Sequence, residues 1–474
     1  MKQIIAYIVM SMVAVPLFSQ VTTPLPQREG LGAGLLTPLP QREGQGEGLL
    51  SLHQLKDSAL HHNMAIRSAQ YRIDAAQEQR KEAFTKYFPS VSGTGFVFNA
   101  NKGMAETTLN PSEMISPELG MALAQSFPPE ALAALANPVS ISMMKNGALA
   151  GINAVQPIFA GGQIINGNKL AKVGEEAARL QLQLSENEVE NQTEQYYWQL
   201  VSMQEKLKTI DAVDSMLAGI HKDVDVAVRA GVAMRNDLLQ VQLRQNELKS
   251  QRLKLNNGID IVRQLLAQYC GLSTTEFTLA QPLLQDEGLA MSAIAPESAL
   301  PNIPEYQLLQ KQVEVAQLQR KMEIGKNLPT VAVGAGYNYH NMLDVDRTFA
   351  MVFATVSIPI SDWWGGSHAV KRSKLEYQKA LDEQQDKSEL LKIRMRNAWN
   401  SVVEAQQQLT IAQQSIEQAA ENLRLNQNFY QAGTNKMSDL LEAQMLYQQS
   451  LDRRVDAFIN YQISLLNYRQ ASGQ

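Results

Sequence analysis

Cysteine is almost absent from this 474-residue chain. Its one copy, Cys270, rules out an internal disulfide, and its mid-chain position rules out an amino-terminal lipid-bearing cysteine. Long apolar runs are missing too. Past the first stretch, no segment of the roughly 20 residues that a membrane-spanning helix needs is free of charge and proline. Positive charge is not in excess: 42 Lys and Arg stand against 47 Asp and Glu, a net charge of −5. No basic stripe is visible, which argues against a nucleic-acid partner. No phosphate-cradling glycine loop, no cluster of metal ligands and no nucleophile–base pair stands out, so neither an enzyme nor a cofactor is expected. The most informative absence is local: residues 367–432 contain neither proline nor glycine.

What fills that stretch is a strict seven-residue repeat. Ala398, Val402, Ala405, Leu409, Ala412, Ile416, Ala419 and Leu423 alternate spacings of four and three, the signature of a coiled-coil seam. At 1.5 Å per residue the segment makes a rod of roughly 100 Å. Its Gln, Glu, Asn and Lys content is too polar for lipid, so it must stand in water and pack sideways on similar rods.

Taken in order, Met1 to about Gln20 reads as a secretory signal: Lys2 at its start, Ile4 to Phe18 as the apolar core, Ser19-Gln20 as the cleavage zone. Residues 21–50 carry the octet TPLPQREG twice, from Thr23 and from Thr37, and read as a disordered linker rather than a docking tag. Ser51 to Tyr87 is expected as one helix, stopped by Phe88-Pro89. Strands follow over 90–100 and 148–158, with an irregular loop at 101–147 holding a short helix near Glu130 to Ala136. A long helix spans 162–230, with Leu182, Val189, Tyr196, Met203, Ile210, Leu217 and Val224 every seven residues. A helix over 237–269 completes this first repeat, 51–271, and residues 272–303 are a linker. The second repeat, 304–474, has a helix to Asn327, strands 330–340 and 349–360, a long helix 366–432 and a helix 437–470. Val331, Val333, Ala335, Tyr337 and Tyr339 share one face of the first of these strands.

The duplication can be checked by subtraction. Gly231 and Gly433, Asp237 and Asp439, and Gly271 and Gly473 all differ by 202. Pro89 and Pro329 differ by 240, and the excess of 38 lies in the 101–147 loop. In the first half the two shorter helices, of about 37 and 33 residues, together match one long rod, so they can stack end to end beside it.

Four strands of 10 to 12 residues suit the 9 to 11 that a tilted strand needs to cross a bilayer. Open sheet edges cannot face lipid, and single-chain barrels start at eight strands. One chain's four strands cannot close, but three chains give 3 × 4 = 12, which can. The expected fold is mainly α with membrane β: two tandem repeats whose strands join a trimeric 12-strand transmembrane β-barrel and whose coiled-coil helices form a ring of rods below it.

The motifs then resemble those of the TolC family of outer-membrane efflux proteins. They are Phe88-Pro89 and Leu328-Pro329 before the outgoing strands, and Gln156-Pro-Ile-Phe-Ala-Gly-Gly162 and Ile358-Pro-Ile-Ser-Asp-Trp-Trp-Gly-Gly366 after the returning ones. Ala-Gly…Asp-Leu-Leu at 230–239 and 432–441 completes the set. The resemblance covers residues 51–474. It implies a homotrimer in the outer membrane of a Gram-negative bacterium, with most of the chain in the periplasm, where the long coiled-coil helices form an α-barrel. It also implies outer-membrane lipid around the barrel, a periplasmic adaptor (membrane fusion) protein at the tip, and an inner-membrane transporter of the RND, ABC or MFS type. Such a channel exports small molecules or proteins in a tripartite efflux or type I secretion system.

By the same resemblance the pore gate falls at the periplasmic tip, on Tyr430, Asn435, Asp439, Glu442 and Asp237, with tip turns at Gly231 and Gly433 and helix–strand junctions at Pro89, Pro157, Pro329 and Pro359. Asn435 stands where the family has an arginine, which puts a charge-assisted latch there in doubt. Rings of Asp439 and Glu442 would attract cations; the plainer reading is that they are helix-start acids. His61-His62 and Met143-Met144 raise a metal-efflux variant, although such pairs are usually a solvated face and gap-filling methionines. Trp363-Trp364 suit either an interfacial belt or packing at the junction. A different class of reading is a soluble periplasmic coiled-coil adaptor or scaffold, but that would carry one helical hairpin, not two repeats each interrupted by a membrane-length β-hairpin.

Overall fold

The computed structural model describes residues 49–110, 113, 115–130, 138–280, 292–341, 345–360 and 362–474. The signal, the octet repeats and most of the short helix expected at 130–136 lie outside the described residues. Leu49–Leu50 (β1) were expected in the linker but pair in parallel with Thr278–Leu279 (β6).

The expected single helix over 51–87 is two, α1 (Leu52–His62) and α2 (Met64–Thr85). Ser51 starts α1 with a capping box: its hydroxyl accepts from Gln54 N at 3.3 Å, and Gln54 Oε1 accepts from Ser51 N at 2.9 Å. Asn63 makes the break. It is extended (φ −68°, ψ 134°), and its side chain accepts from Ala65 N at 2.8 Å, so it caps the second helix. Leu52, Ala59, Ile66 and Ile73 keep a spacing of seven on both sides of Asn63, which is why periodicity alone does not reveal the break.

The strands β2 (Ser90–Asn99), β5 (Asn146–Ala160), β7 (Thr330–Asn341) and β8 (Asp346–Ser357) form one antiparallel sheet in the order β2-β5-β7-β8. Within the described residues, β2 and β8 are its two unpaired edges. The segment read as an irregular loop is structured. β3 (Ala105–Leu109) pairs with β4 (Val139–Met143), extending the first hairpin beyond the sheet. Between them lies α3 (Pro117–Ser126), with Ser116 capping and Pro117 at its first turn.

The sheet has two chemically different faces, fixed by register. Val91, Val97, Ile152, Val333, Tyr337, Val352 and Val356 share one face and are exposed there, Val352 to 86 %. The other face carries Ser90, Ser92, Thr94, Asn153, Asn338, His340 and Arg347. A groove of about 750 Å³ bordered by Thr94, Asn153 and Asn338 and by Phe96, Phe349 and Phe353 runs across it, so this mixed polar and aromatic face is the concave one.

The helices are α4 (Gln163–Arg229), α5 (Arg235–Cys270), α6 (Pro304–Lys326), α7 (Asp362–Gln431) and α8 (Met437–Ser472). The last long helix was expected from Gly366; it starts at Asp362 and takes both tryptophans and both glycines into its first turns. α4 packs on α2 and α5, and across onto α6 and α8; α7 packs on α6 and α8. Val402, Ala405, Leu409, Ala412 and Leu423 of the heptad seam are buried. The main core sits at mid-height, where Trp198, Leu200, Leu266, Val402, Phe458 and Tyr468 from both repeats meet. There the C-terminal end of α5 meets α1 and the cap of α2: Ser58 Oγ donates to Cys270 O at 2.8 Å, and Asn63 Nδ2 to Tyr269 O at 3.3 Å.

Candidate functional site: the tip turns and the sheet

Both long helices end in the same device. Gly231 (φ 77°) and Gly433 (φ 71°) are left-handed, a conformation that glycine enters without steric cost. Val232 N donates to Ala227 O and Thr434 N to Phe429 O, both at 2.9 Å, while the glycine amides bond Val228 O and Tyr430 O, both at 3.0 Å. These are Schellman closures, satisfying carbonyls that a helix end leaves free. They turn the chain into α5 and α8 and set Asp237 and Asp439 in equivalent first turns.

Around the turns an apolar plug forms from Val224, Val241, Leu423, Met437, Leu440 and Ala443, with Tyr430 half-buried against it. Burial, and after it the nearby Asp237 carboxylate, push the Tyr430 phenol above its ordinary range. Tyr430 and Asp237 come from different repeats, so this proximity joins the two hairpins. Asp237 Oδ2 accepts from Met234 N at 3.4 Å. Asp439 and Glu442 are exposed, and Asp439 accepts only a local bond from Ser438 Oγ, at 3.1 Å.

Asn435 does not reach the first hairpin. Its Nδ2 donates to Asn426 Oδ1 at 2.8 Å, back across its own turn. The cross-repeat tether lies deeper, on residues that sequence reasoning passed over. Arg244 donates to Gln444 Oε1 at 3.2 Å and Gln448 Oε1 at 2.8 Å on α8, and to Glu247 at 2.9 Å on its own helix. Gln448 Nε2 then donates to Gln251 Oε1 at 3.2 Å. A signal was present: Asp237, Arg244 and Gln251 are spaced by seven, on one face of α5, and Gln444 and Gln448 by four, on one face of α8.

At the other end, Pro89 and Pro329 immediately precede β2 and β7. Pro359 follows β8, where Ile360 N bonds Ile358 O at 2.9 Å. Pro157 is not a junction. It lies inside β5, where pairing with β7 shifts register between Pro157 and Phe159, because proline has no N–H to give the ladder. The strand ends instead at Gly161-Gly162, both left-handed. Trp364 is 80 % exposed. His61 and His62 each bond a backbone carbonyl one turn back, at 2.7 and 3.0 Å, and among the described residues no three metal-ligating side chains cluster. No described helix is long and apolar enough to cross a membrane.

Comparison with known proteins agrees with this geometry. Residues 295–474 match the outer membrane efflux protein family. Among curated proteins no sequence matches the chain. The fold is similar to the outer membrane protein VceC of Vibrio cholerae, with a TM-score of 0.69 at 14 % identity over 89 % of this chain and 96 % of that one. It is similar to the CmeC outer membrane channel of Campylobacter jejuni, with a TM-score of 0.70 at 16 % identity over 89 % and 85 %. It is also similar to CusC, with a TM-score of 0.74 at 14 % identity over 97 % and 99 %. Residues 295–474 are thus similar to the outer membrane efflux protein family, and the described chain has the fold of solved outer-membrane channels.

Proposed function

We propose that this protein is a trimeric export duct of the outer membrane, the outer component of a tripartite efflux or type I secretion system. One observation carries the reading. A sheet with one exposed apolar face and two edges unpaired among the described residues is continuous with polar rods of roughly 100 Å. Lipid accepts such a sheet only when its edges are paired; two copies would give eight strands, whose interior side chains fill, and three give twelve, which leave room for a duct. The concave face, polar and aromatic, then lines the pore, and the rods carry it across the periplasm. The tip turns at 231–237 and 433–439 are the docking surface for a periplasmic adaptor, through which an inner-membrane pump of the RND, ABC or MFS type loads small molecules or proteins.

The test is fractionation of cells that express the full chain, followed by crosslinking from the tip turns. The duct reading expects the protein in the outer-membrane fraction, extracted only by detergent, with an adaptor captured at the tips. Recovery in the soluble periplasm without detergent would replace it with the scaffold reading.

A further inference from the structure

The two edge strands of the sheet hold every phenylalanine of its concave face: Phe96 and Phe98 on β2, Phe349 and Phe353 on β8. On that face the central strands carry no phenylalanine; their residues include Leu149, Gly151, Asn153, Gly334 and Asn338. Phe98 and Phe353 are bedded on their own chain, over Gly147 and Gly334, where any Cβ would collide with the ring. Phe96 and Phe349 stay 58 % and 43 % exposed. Aromatic area facing a water-filled pore is unfavourable unless something covers it, and its restriction to the edges points to the neighbouring copy as the cover.

The register says which residues meet. Ser90, the first residue of β2, is level through Val155 with Gly334, four residues above Thr330, which pairs with Ser357 at the base of β8. The base of the sheet therefore rises four residues over three strand steps. One more step at that slope, four-thirds of a residue per strand, gives about 5.3, and the in–out alternation of side chains allows only an even stagger. Six is the nearest even value. It places Phe96 of one copy opposite Phe353 of the next, and Phe98 opposite Met351.

Resting on the trimeric reading, we propose that β2 of each copy pairs antiparallel with β8 of the next in this register, so that an aromatic–methionine seam on the pore side fastens each subunit boundary. Such cross-strand ring and sulfur contacts are among the stronger sheet pairings.

The experiment uses the full-length protein in detergent, with Cys270 replaced by alanine. Phe96→Cys combined with Phe353→Cys should give a covalent trimer on oxidation, seen on a denaturing gel and lost with reductant. Phe96→Cys combined with Thr348→Cys, on the opposite face, should not. Separately, Phe96→Ala with Phe353→Ala should lower the temperature at which the SDS-resistant trimer dissociates by about 10 °C or more. Val352→Ala, on the convex face, should lower it far less. A trimer that crosslinks through a different β8 position, or whose dissociation ignores the phenylalanines, overturns the seam and leaves the duct standing. A protein that is never trimeric overturns the duct reading itself.

Discussion

Asn435 donates its side-chain amide to Asn426, 2.8 Å away and nine residues back across the tip turn. The bond closes one hairpin on itself and does not span the two repeats. Asn435→Ala should therefore cost about 1 kcal/mol of local stability at most and change single-channel conductance by less than about twofold. A several-fold rise would mean that Asn435 holds the gate after all.

Arg244 is the residue that spans. Its guanidinium is nearly enclosed and bonds two α8 glutamines. Arg244→Ala leaves Gln444 and Gln448 without their donor, a loss of about 1.5–3 kcal/mol for charge-assisted bonds. The expected outcome is larger conductance and faster proteolysis near the tip. Because both α8 acceptors are neutral, this tether should respond less to ionic strength than an ion pair does. Conductance equal to wild type would remove the tether from the gate.

Asp439 and Glu442 are exposed beside the second turn. If three copies of each ring the pore, Asp439→Ala with Glu442→Ala weakens block by divalent or hexammine cations in single-channel recordings. Unchanged block identifies them as helix-start acids only.

Burial pushes the Cys270 thiol up to about 11, and the residue is fully enclosed. The thiolate is the reactive species, so below that value little is present. A maleimide reagent at pH 7.5 should leave Cys270 unmodified in the folded protein and label it after denaturation. Rapid labelling of the native protein would contradict the packing of α1 against α5.

The architecture was legible in the sequence because it rests on periods and breaks. The heptad from Ala398 to Leu423 is a packing instruction that any facing rod must obey. Alternation from Val331 to Tyr339 fixes which side of a strand is apolar, and the 202-residue offset duplicates the turn at Gly231 in the turn at Gly433. What stayed hidden has local or tertiary causes. Asn63 breaks a helix by capping its successor without disturbing the apolar pattern. β3 and β4 are short and far apart in sequence, and only their mutual ladder makes them strands. Pro157 looked like a boundary because proline usually is one, but the sheet absorbs it in a register shift. The Arg244 tether joins two helices some 200 positions apart; the spacing of Arg244 and Gln251, and of Gln444 and Gln448, marks a polar face on each helix but not that the two faces meet.

Conductance of purified, full-length protein across a planar lipid bilayer tests the central claim most directly. Stepwise current increments from a species whose mass is that of three chains are the predicted result. A folded monomer in detergent, or a trimer that never conducts, would contradict the account.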